Sequence, residues 1–262
     1  EMIGSYRRGP YKEAYFATVE EIVPEGVEEV FDLSEPCTRH FHANGILVHN
    51  CGEQPLLPFE SCNLGSLNLG EYFKKGTIDW ESYRNDIRHA VRFLDNVIDL
   101  NKFPLEESQK ITLRNRKIGL GVMGFADLLL MMGLPYNSDK ARSTGERLMS
   151  FLDREAKLAS MELAKKRGAF PNWKGSLWKH LDYPEMRNAT VSTVAPTGTI
   201  SIIAGASSGI EPIFSGVFYR NVLSGERLRE VHPALARALG KHADDVRDLT
   251  DQEISGALGP AW

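Results

Sequence analysis

The sequence predicts an α/β fold over residues 51–262, preceded by a small all-β segment over residues 1–50. Two observations lead to this prediction. Before residue 51 the apolar residues fall in short β-type runs separated by turn residues, without helical periodicity. After residue 51, helical patterns alternate with short buried strand-like runs, which is typical of α/β architecture.

The all-β segment is predicted to consist of short strands joined by tight turns. Residues 14–19 and 27–33 have strand composition, and a Pro-Glu-Gly sequence at 24–26 supplies a turn between them. Residues 41–48 form another apolar stretch, interrupted by the Asn-Gly dipeptide at 44–45, which is typical of a hairpin turn.

Four further elements are predicted in the second segment, three helices from their apolar spacing and one strand from its β-branched residues. Their ends follow from capping and breaking residues. The elements are a helix over 80–100 capped by Asp79, a buried helix over 125–132, a helix over 143–167 ended by Gly168, and a strand over 189–195 stopped by Pro196.

Composition excludes several classes of protein. The chain has 262 residues and a formal net charge of −4, so it lacks the basic excess expected of a nucleic-acid binder. No apolar run reaches the roughly 18 residues of a membrane span. Cys37, Cys51 and Cys62 are an odd number of cysteines without metal-ligand spacing, which argues against a secreted disulfide scaffold. We therefore expect a cytoplasmic enzyme, or a piece of one, with no metal site and no nucleic-acid or membrane partner.

The tripeptide His49-Asn50-Cys51 follows an apolar strand and suits one reaction, cleavage of the Asn50–Cys51 peptide bond. A thiolate can accept an acyl group. An Asn side-chain amide can attack its own backbone carbonyl and close a succinimide, while a neighbouring His transfers protons. A chance tripeptide after a β-hairpin is the alternative.

The surrounding residues resemble the C-terminal blocks of an intein. A strand with an acidic residue, here Asp32, precedes the sequence FHANGILVHN at 41–50, which is similar to that family's F-x-A-N-G-x-x-V-H-N motif. The resemblance implies a HINT-type fold that splices together with an upstream intein half and an N-extein. It also implies roles: Asn50 cyclises, His49 assists it, Cys51 is the first extein residue, and His40, or else Arg39 or His42, is a further helper.

Cys51 and Glu53 are two residues apart, which places them on one face of an extended segment. A thiol beside a carboxylate suits radical chemistry on a sugar. The sulfur abstracts a carbon-bound hydrogen as a thiyl radical, and the carboxylate takes the proton of the adjacent hydroxyl. Ordinary thiolate catalysis is also compatible with this pair.

Residues 51–69, CGEQPLLPFESCNLGSLNL, resemble the finger loop of ribonucleotide reductases, most closely the adenosylcobalamin-dependent class II enzymes. That family's motif begins N-P-C-G-E, and excision of an intein before the Cys would rebuild it. The resemblance implies that Cys51 carries the radical, Glu53 is the general base, and Cys62 belongs to the dithiol that delivers two electrons. The partner of Cys62 is expected upstream, since Cys37 would leave with the intein; a buried inert thiol is the alternative for Cys62.

Residues 195–201, APTGTIS, follow the predicted strand. If a helix begins here, its free N–H groups favour an anion; an ordinary N-cap is the alternative. The stretch 195–214 again resembles class II ribonucleotide reductases, in which this loop holds the substrate phosphates. The resemblance implies phosphate contacts from Thr197, Gly198, Thr199 and Ser201.

Together, the resemblances imply that residues 51–262 form part of a ten-stranded α/β barrel. The implied reaction is reduction of ribonucleoside di- or triphosphates to 2′-deoxyribonucleotides for DNA synthesis, with adenosylcobalamin as cofactor and a thioredoxin-type reductant. Two alternatives stay open: a self-processing intein fragment whose only activity is Asn50 cyclisation, and a fragment of a class I large subunit. The chain alone is expected to be inert as a reductase, because the partner cysteine and the early strands are missing.

Overall fold

In the computed structural model the chain divides into two compact units, residues 1–50 and residues 51–262. The structure describes four short strands of the first unit and, in the second, residues 53–213, 216–221, 227–240, 243–246 and 249–258. The division falls at the predicted splice junction, while the assignment of the first unit to an intein stays a prediction. Asp32, Asn50 and Cys51 lie outside the described residues.

The strands described in the first unit form two antiparallel pairs. β1 (Tyr6–Arg7) pairs with β2 (Ala14–Tyr15), and β3 (His40–Ala43) pairs with β4 (Ile46–His49). The second pair confirms the hairpin predicted around residues 44–45. Its register sets His40 opposite His49, so two residues with predicted splicing roles occupy facing positions on neighbouring strands. The strand predicted over 27–33 lies outside the described residues.

Strands and helices alternate through the described part of the second unit. In chain order they are β5 (Asn63–Asn68), β6 (Phe73–Lys74), β7 (Thr77–Ile78), α1 (Trp80–Leu100), α2 (Glu106–Asn115), β8 (Ile118–Met123), α3 (Phe125–Met131), α4 (Asp139–Arg167), α5 (Leu177–His180), α6 (Gly198–Ala204), β9 (Val217–Asn221), β10 (Arg227–Val231), α7 (Pro233–Ala238), α8 (Ala243–Val246) and α9 (Asp251–Leu258). None of the described helices combines the length and the apolar character needed to cross a bilayer.

The centre of this unit is a parallel pair of strands. β5 and β8 run side by side from Asn63 opposite Ile118 to Asn68 opposite Met123, and the crossover between them passes through α1 and α2. All six residues of β8 are buried, as expected for a parallel strand covered on both faces. The predicted α/β class is confirmed, while the sheets among the described residues have two strands each and the ten-stranded barrel stays a prediction.

The prediction of a full strand over 189–195 is wrong. The segment runs beside β8 but forms a single parallel bridge, between Ser192 and Leu120. One reason is that the Thr190 hydroxyl donates to the Ile118 carbonyl at 3.1 Å, where a regular ladder would use a backbone N–H. Backbone bonds on both sides of Leu120 still hold the segment, from the Leu120 N–H to the Val191 carbonyl at 2.9 Å and from the Thr193 N–H to the Leu120 carbonyl at 3.1 Å.

The predicted helices are confirmed, with one boundary moved. α1 begins after Asp79, whose carboxylate accepts a bond from the Ser82 N–H at 3.0 Å. α4 ends at Gly168 as predicted but begins at Asp139, before the predicted residue 143, because the Ser138 hydroxyl caps it by accepting from the Ala141 N–H at 3.1 Å. The apolar faces of α1 and α4 pack together over β5 and β8 and form the main core.

Candidate active site

The residues next to the predicted radical cysteine are bound to the segment that follows β8. The Thr193 hydroxyl donates to the backbone carbonyl of Glu53, and Gln54 Nε2 donates to the Ser192 carbonyl at 3.0 Å. Because Thr193 is itself bonded to Leu120, the Glu53 backbone is tied to the strand layer. Cys51 lies outside the described residues.

Two glycines of β8 make this close approach possible. A Cβ atom on Gly119 would lie 2.6 Å from Leu64 Cδ2 and 3.1 Å from Gln54 Nε2. A Cβ atom on Gly121 would lie 3.0 Å from the Thr193 carbonyl oxygen. A glycine inside a strand often marks a place where another chain segment comes close. Here the approaching segments carry Gln54 and Thr193.

Cys62 lies directly before β5 and is a free thiol of intermediate exposure. Burial raises the pKa of Cys62 to about 11; the Lys117 ammonium opposes the rise, and the carboxylates of Glu60 and Glu53 add to it. Glu53 therefore lies near enough to Cys62 for their charges to interact. The charge of the predicted base therefore acts, if weakly, on the predicted reducing cysteine.

Sequence reasoning missed a buried ion pair in this neighbourhood. The Glu60 side chain is 0% exposed, and its carboxylate lies 2.7 Å from the Lys117 ammonium, which is 13% exposed. The two residues are 57 positions apart, so no local pattern connects them. The only signal in the sequence is the position of Glu60, two residues before Cys62.

The predicted phosphate-binding residues separate into two kinds. Thr197 and Ser201 are buried, and their hydroxyls are bonded within the loop: Thr197 Oγ1 accepts from the Gly209 N–H at 2.7 Å, and Ser201 Oγ donates to the Gly198 carbonyl at 3.1 Å. Gly198 and Thr199 are exposed and form the first turn of α6, where backbone N–H groups lack intrahelical partners. An anion could be met here by backbone donors rather than by the two buried hydroxyls.

The loop after α6 is fastened to the end of β8. The Gly124 N–H donates to the Ser207 carbonyl at 2.8 Å, and the Ser207 N–H donates to Asp127 Oδ2 at 2.9 Å. Gly124 has a left-handed φ of 71° between β8 and α3. The bonds through Ser207 fix the loop at the carboxyl end of β8.

A buried ion cluster occupies the opposite end of β8. Asp95 is 0% exposed and receives bonds from Arg116 at 2.8 Å, Arg167 at 3.0 Å and Arg187 at 3.4 Å. Arg116 also binds Asp99, at 2.7 Å. We interpret this cluster as structural, because it joins α1, α4 and the start of β8. Among the residues that the structure describes, no group of three or more His, Cys, Asp or Glu side chains is placed to hold a metal ion.

Comparison with known proteins identifies similar sequences. The family model for the barrel domain of ribonucleotide reductase matches residues 38–185 and 184–257, so the match begins before the predicted junction. A vitamin B12-dependent ribonucleoside-diphosphate reductase of Thermoplasma acidophilum is 54% identical over 200 residues, which cover 75% of this chain and 26% of the relative.

Two further relatives have related names. A Mycobacterium tuberculosis protein, also named a vitamin B12-dependent ribonucleoside-diphosphate reductase, is 47% identical over 199 residues, covering 75% of this chain and 28% of the relative. The ribonucleoside-diphosphate reductase subunit alpha of Chlamydia pneumoniae is 35% identical over 216 residues, covering 69% of this chain and 20% of the relative. The chain thus spans about a quarter of the length of these relatives.

Proposed function

The chain belongs to the ribonucleotide reductase family, whose barrel domain it matches over most of its length, and on this premise we propose that it is the catalytic-loop segment of a class II ribonucleoside-diphosphate reductase. The observation that carries the proposal is the 54% identity to a relative named a vitamin B12-dependent ribonucleoside-diphosphate reductase. The shared neighbourhood of Glu53 and Cys62 supports it. The activity belongs to the whole protein, of which this chain spans about a quarter.

In the proposed reaction the Cys51 thiyl radical takes the 3′-hydrogen of a ribonucleoside diphosphate, and Glu53 accepts the proton of the 3′-hydroxyl. The 2′-hydroxyl leaves as water. Cys62 and a partner cysteine outside this chain supply two electrons as their thiols become a disulfide. Cys51 then returns the hydrogen atom to C3′, which restores its radical. A thioredoxin-type protein reduces the disulfide, and the 2′-deoxyribonucleotide serves DNA synthesis.

Adenosylcobalamin is proposed as the cofactor, because the relatives at 54% and 47% identity are named vitamin B12-dependent. It would supply the radical that Cys51 carries. Next to Glu53, Gln54 Nε2 and the Thr193 hydroxyl are already engaged in hydrogen bonds within the chain. We therefore assign them no cobalamin contact.

Substrate phosphate is proposed to bind at the start of α6. The exposed positions of Gly198 and Thr199 favour donation from their backbone N–H groups. The buried hydroxyls of Thr197 and Ser201 shape the loop, since each already has a partner within it. A diphosphate substrate is preferred here because the relatives are named diphosphate reductases.

We further propose that residues 1–50 are the C-terminal part of an intein that is excised between Asn50 and Cys51. The hairpin of β3 and β4, which sets His40 opposite His49, supports this assignment. The division of the chain into units at residues 50 and 51 is consistent with it. Cys51 would first accept the acyl chain in splicing and then carry the radical in the mature enzyme.

The test is to express the complete reading frame and to measure both intact mass and reduction of CDP. The expected product lacks the whole intein, which ends at Asn50. It reduces CDP only with adenosylcobalamin. Asn50→Ala should block ligation and give no activity. Cys51→Ser should still splice, because a hydroxyl can accept the acyl chain, but should be inactive.

Each result has a contrary outcome. An active, unspliced Asn50→Ala protein would overturn the splicing proposal. Activity in the spliced Cys51→Ser protein would show that Cys51 does not carry the radical. Activity without cobalamin would favour a class I reductase. A product that is cleaved at Asn50 but never ligated would favour the self-processing fragment.

A further inference from the structure

The chain between Glu53 and Cys62 turns back on itself, and one lysine binds both ends of the turn. Lys117 Nζ donates to the Pro55 carbonyl at 2.7 Å and to Glu60 Oε2 at 2.7 Å. This bridge links the two ends of the turn across residues 55–60.

Glu60 is held in place on every side. Its Oε2 also accepts from the Leu57 N–H at 2.8 Å, and its Oε1 accepts from Asn115 Nδ2 at 2.6 Å. Asn115 is oriented in turn by Asn172, whose Nδ2 donates to Asn115 Oδ1 at 2.6 Å. Each oxygen of this buried carboxylate therefore has a hydrogen-bond donor, and the Lys117 ammonium is one of them.

The next residue after Glu60 is fixed as well. The Ser61 N–H donates to Thr112 Oγ1 at 3.1 Å, and the Ser61 hydroxyl lies 3.0 Å from the same oxygen. Thr112 belongs to α2, the helix that leads to Lys117. The turn is therefore bound to one short stretch of chain, residues 112–117.

We propose that Lys117 is a positioning residue for the reductase reaction: its ammonium joins Pro55 to Glu60 and so sets the separation between Glu53 and Cys62. This inference rests on the proposed function. It also has an electrostatic consequence, because the Lys117 charge opposes the rise in the pKa of Cys62 caused by burial. Loss of that charge must therefore lower the thiolate fraction of Cys62 at a given pH.

The experiment compares Lys117→Met, Lys117→Arg and the control Lys110→Met in the spliced full-length reductase. Lys110 lies on α2 and is exposed, so its variant makes the same chemical change away from the turn. Lys117→Met should lower kcat for CDP by about 10- to 100-fold with KM changed less than about twofold, as expected for misplaced reacting groups. Lys117→Arg should recover most of kcat, and Lys110→Met should match wild type.

A second readout does not depend on turnover. Alkylation of Cys62 by iodoacetamide at pH 9, followed by peptide mass spectrometry, should be roughly three- to tenfold slower in Lys117→Met than in wild type. Lys117→Arg and Lys110→Met should react at the wild-type rate. A merely structural lysine would not produce this ordered change, since loosening of the fold would expose Cys62 and accelerate its alkylation.

Wild-type values of kcat and of the alkylation rate in Lys117→Met would overturn the inference. A fall in kcat accompanied by faster alkylation would also overturn it, because it would show local unfolding. If Lys117→Met does not fold, Glu60→Gln provides the kcat test, since Gln keeps the size and the acceptor of Glu but removes the ion pair. In this variant Cys62 should be alkylated faster, because the Glu60 carboxylate adds to the rise in the pKa of Cys62, so only an unchanged kcat would overturn the inference there. An inactive wild-type enzyme with the predicted alkylation pattern would refute the proposed function, and with it the positioning role in that reaction, while the electrostatic effect of Lys117 on Cys62 would stand.

Discussion

Substitution of Asp95 by Asn is expected to loosen the start of β8. The Asp95 carboxylate is fully buried and accepts from three arginines, of which Arg116 is itself only 4% exposed. Loss of its charge leaves Arg116 with Asp99, which is 48% exposed. Removal of one partner of a buried ion pair costs about 3–5 kcal/mol. The matched control is Asp99→Asn on the same arginine, which should cost less than about 1 kcal/mol because that carboxylate is solvent-screened.

Hydrogen exchange measures this difference in the full-length protein. At about 1.4 kcal/mol for each factor of ten, protection of the amides in β8 should fall by about 100- to 4,000-fold in Asp95→Asn. In Asp99→Asn the fall should be about fivefold or less. Equal effects of the two substitutions, or unchanged protection in Asp95→Asn, would refute the reasoning that burial sets the contribution of each carboxylate.

Three other predictions concern the catalytic segments. Thr193→Val removes the hydroxyl that donates to the Glu53 carbonyl and should lower kcat of the spliced enzyme about tenfold, whereas Thr193→Ser should keep most of it; equal kcat in the two variants would contradict a role for this bond. Because burial raises the pKa of Cys62 to about 11, alkylation of Cys62 should accelerate about tenfold for each pH unit between pH 8 and 10, and a plateau in that range would be inconsistent with the raised pKa. Gly124→Ala places a side chain at a φ of 71° and against Asn68, and should destabilise the end of β8 by about 1–2 kcal/mol in hydrogen exchange; Gly175→Ala, with open space around it, is the control.

The helices could be predicted because their signals are local. Asp79 and Gly168 mark two ends within one turn of the helices that they cap, and the apolar spacing between residues 80 and 100 needs no tertiary information. The early start of α4 was missed although Ser138 is an ordinary N-cap, because the only apolar residue in its first turn is the small Ala141. The strand predicted over 189–195 failed because Thr190 satisfies a strand carbonyl with its side chain, which composition does not reveal.

Site residues could be predicted from the sequence only where they belong to a contiguous motif. Glu53 and Cys62 were predicted from one contiguous motif, and the structure brings them near each other. Their roles stay predictions. Lys117 was not predictable, since it acts on residues 57 and 62 positions earlier in the chain. The hydrogen bonds of Thr197 and Ser201 were not predictable either. Their partners are Gly209 and Ser208, which come near only when the loop is folded.

The bonds that hold Glu53 and Gln54 can form only late in the synthesis of the chain. The partner of Glu53 is 140 residues further along the chain, and a ribosome that adds about 5–20 residues per second makes it about 7–28 s later. During that interval the residues after the proposed splice junction lack their bonds to Ser192 and Thr193. Afterwards they are bound at Thr193 and Ser192. If residues 1–50 are excised as proposed, fast excision would act on a segment that still lacks these bonds, whereas slow excision would act on one that is already bound to Ser192 and Thr193.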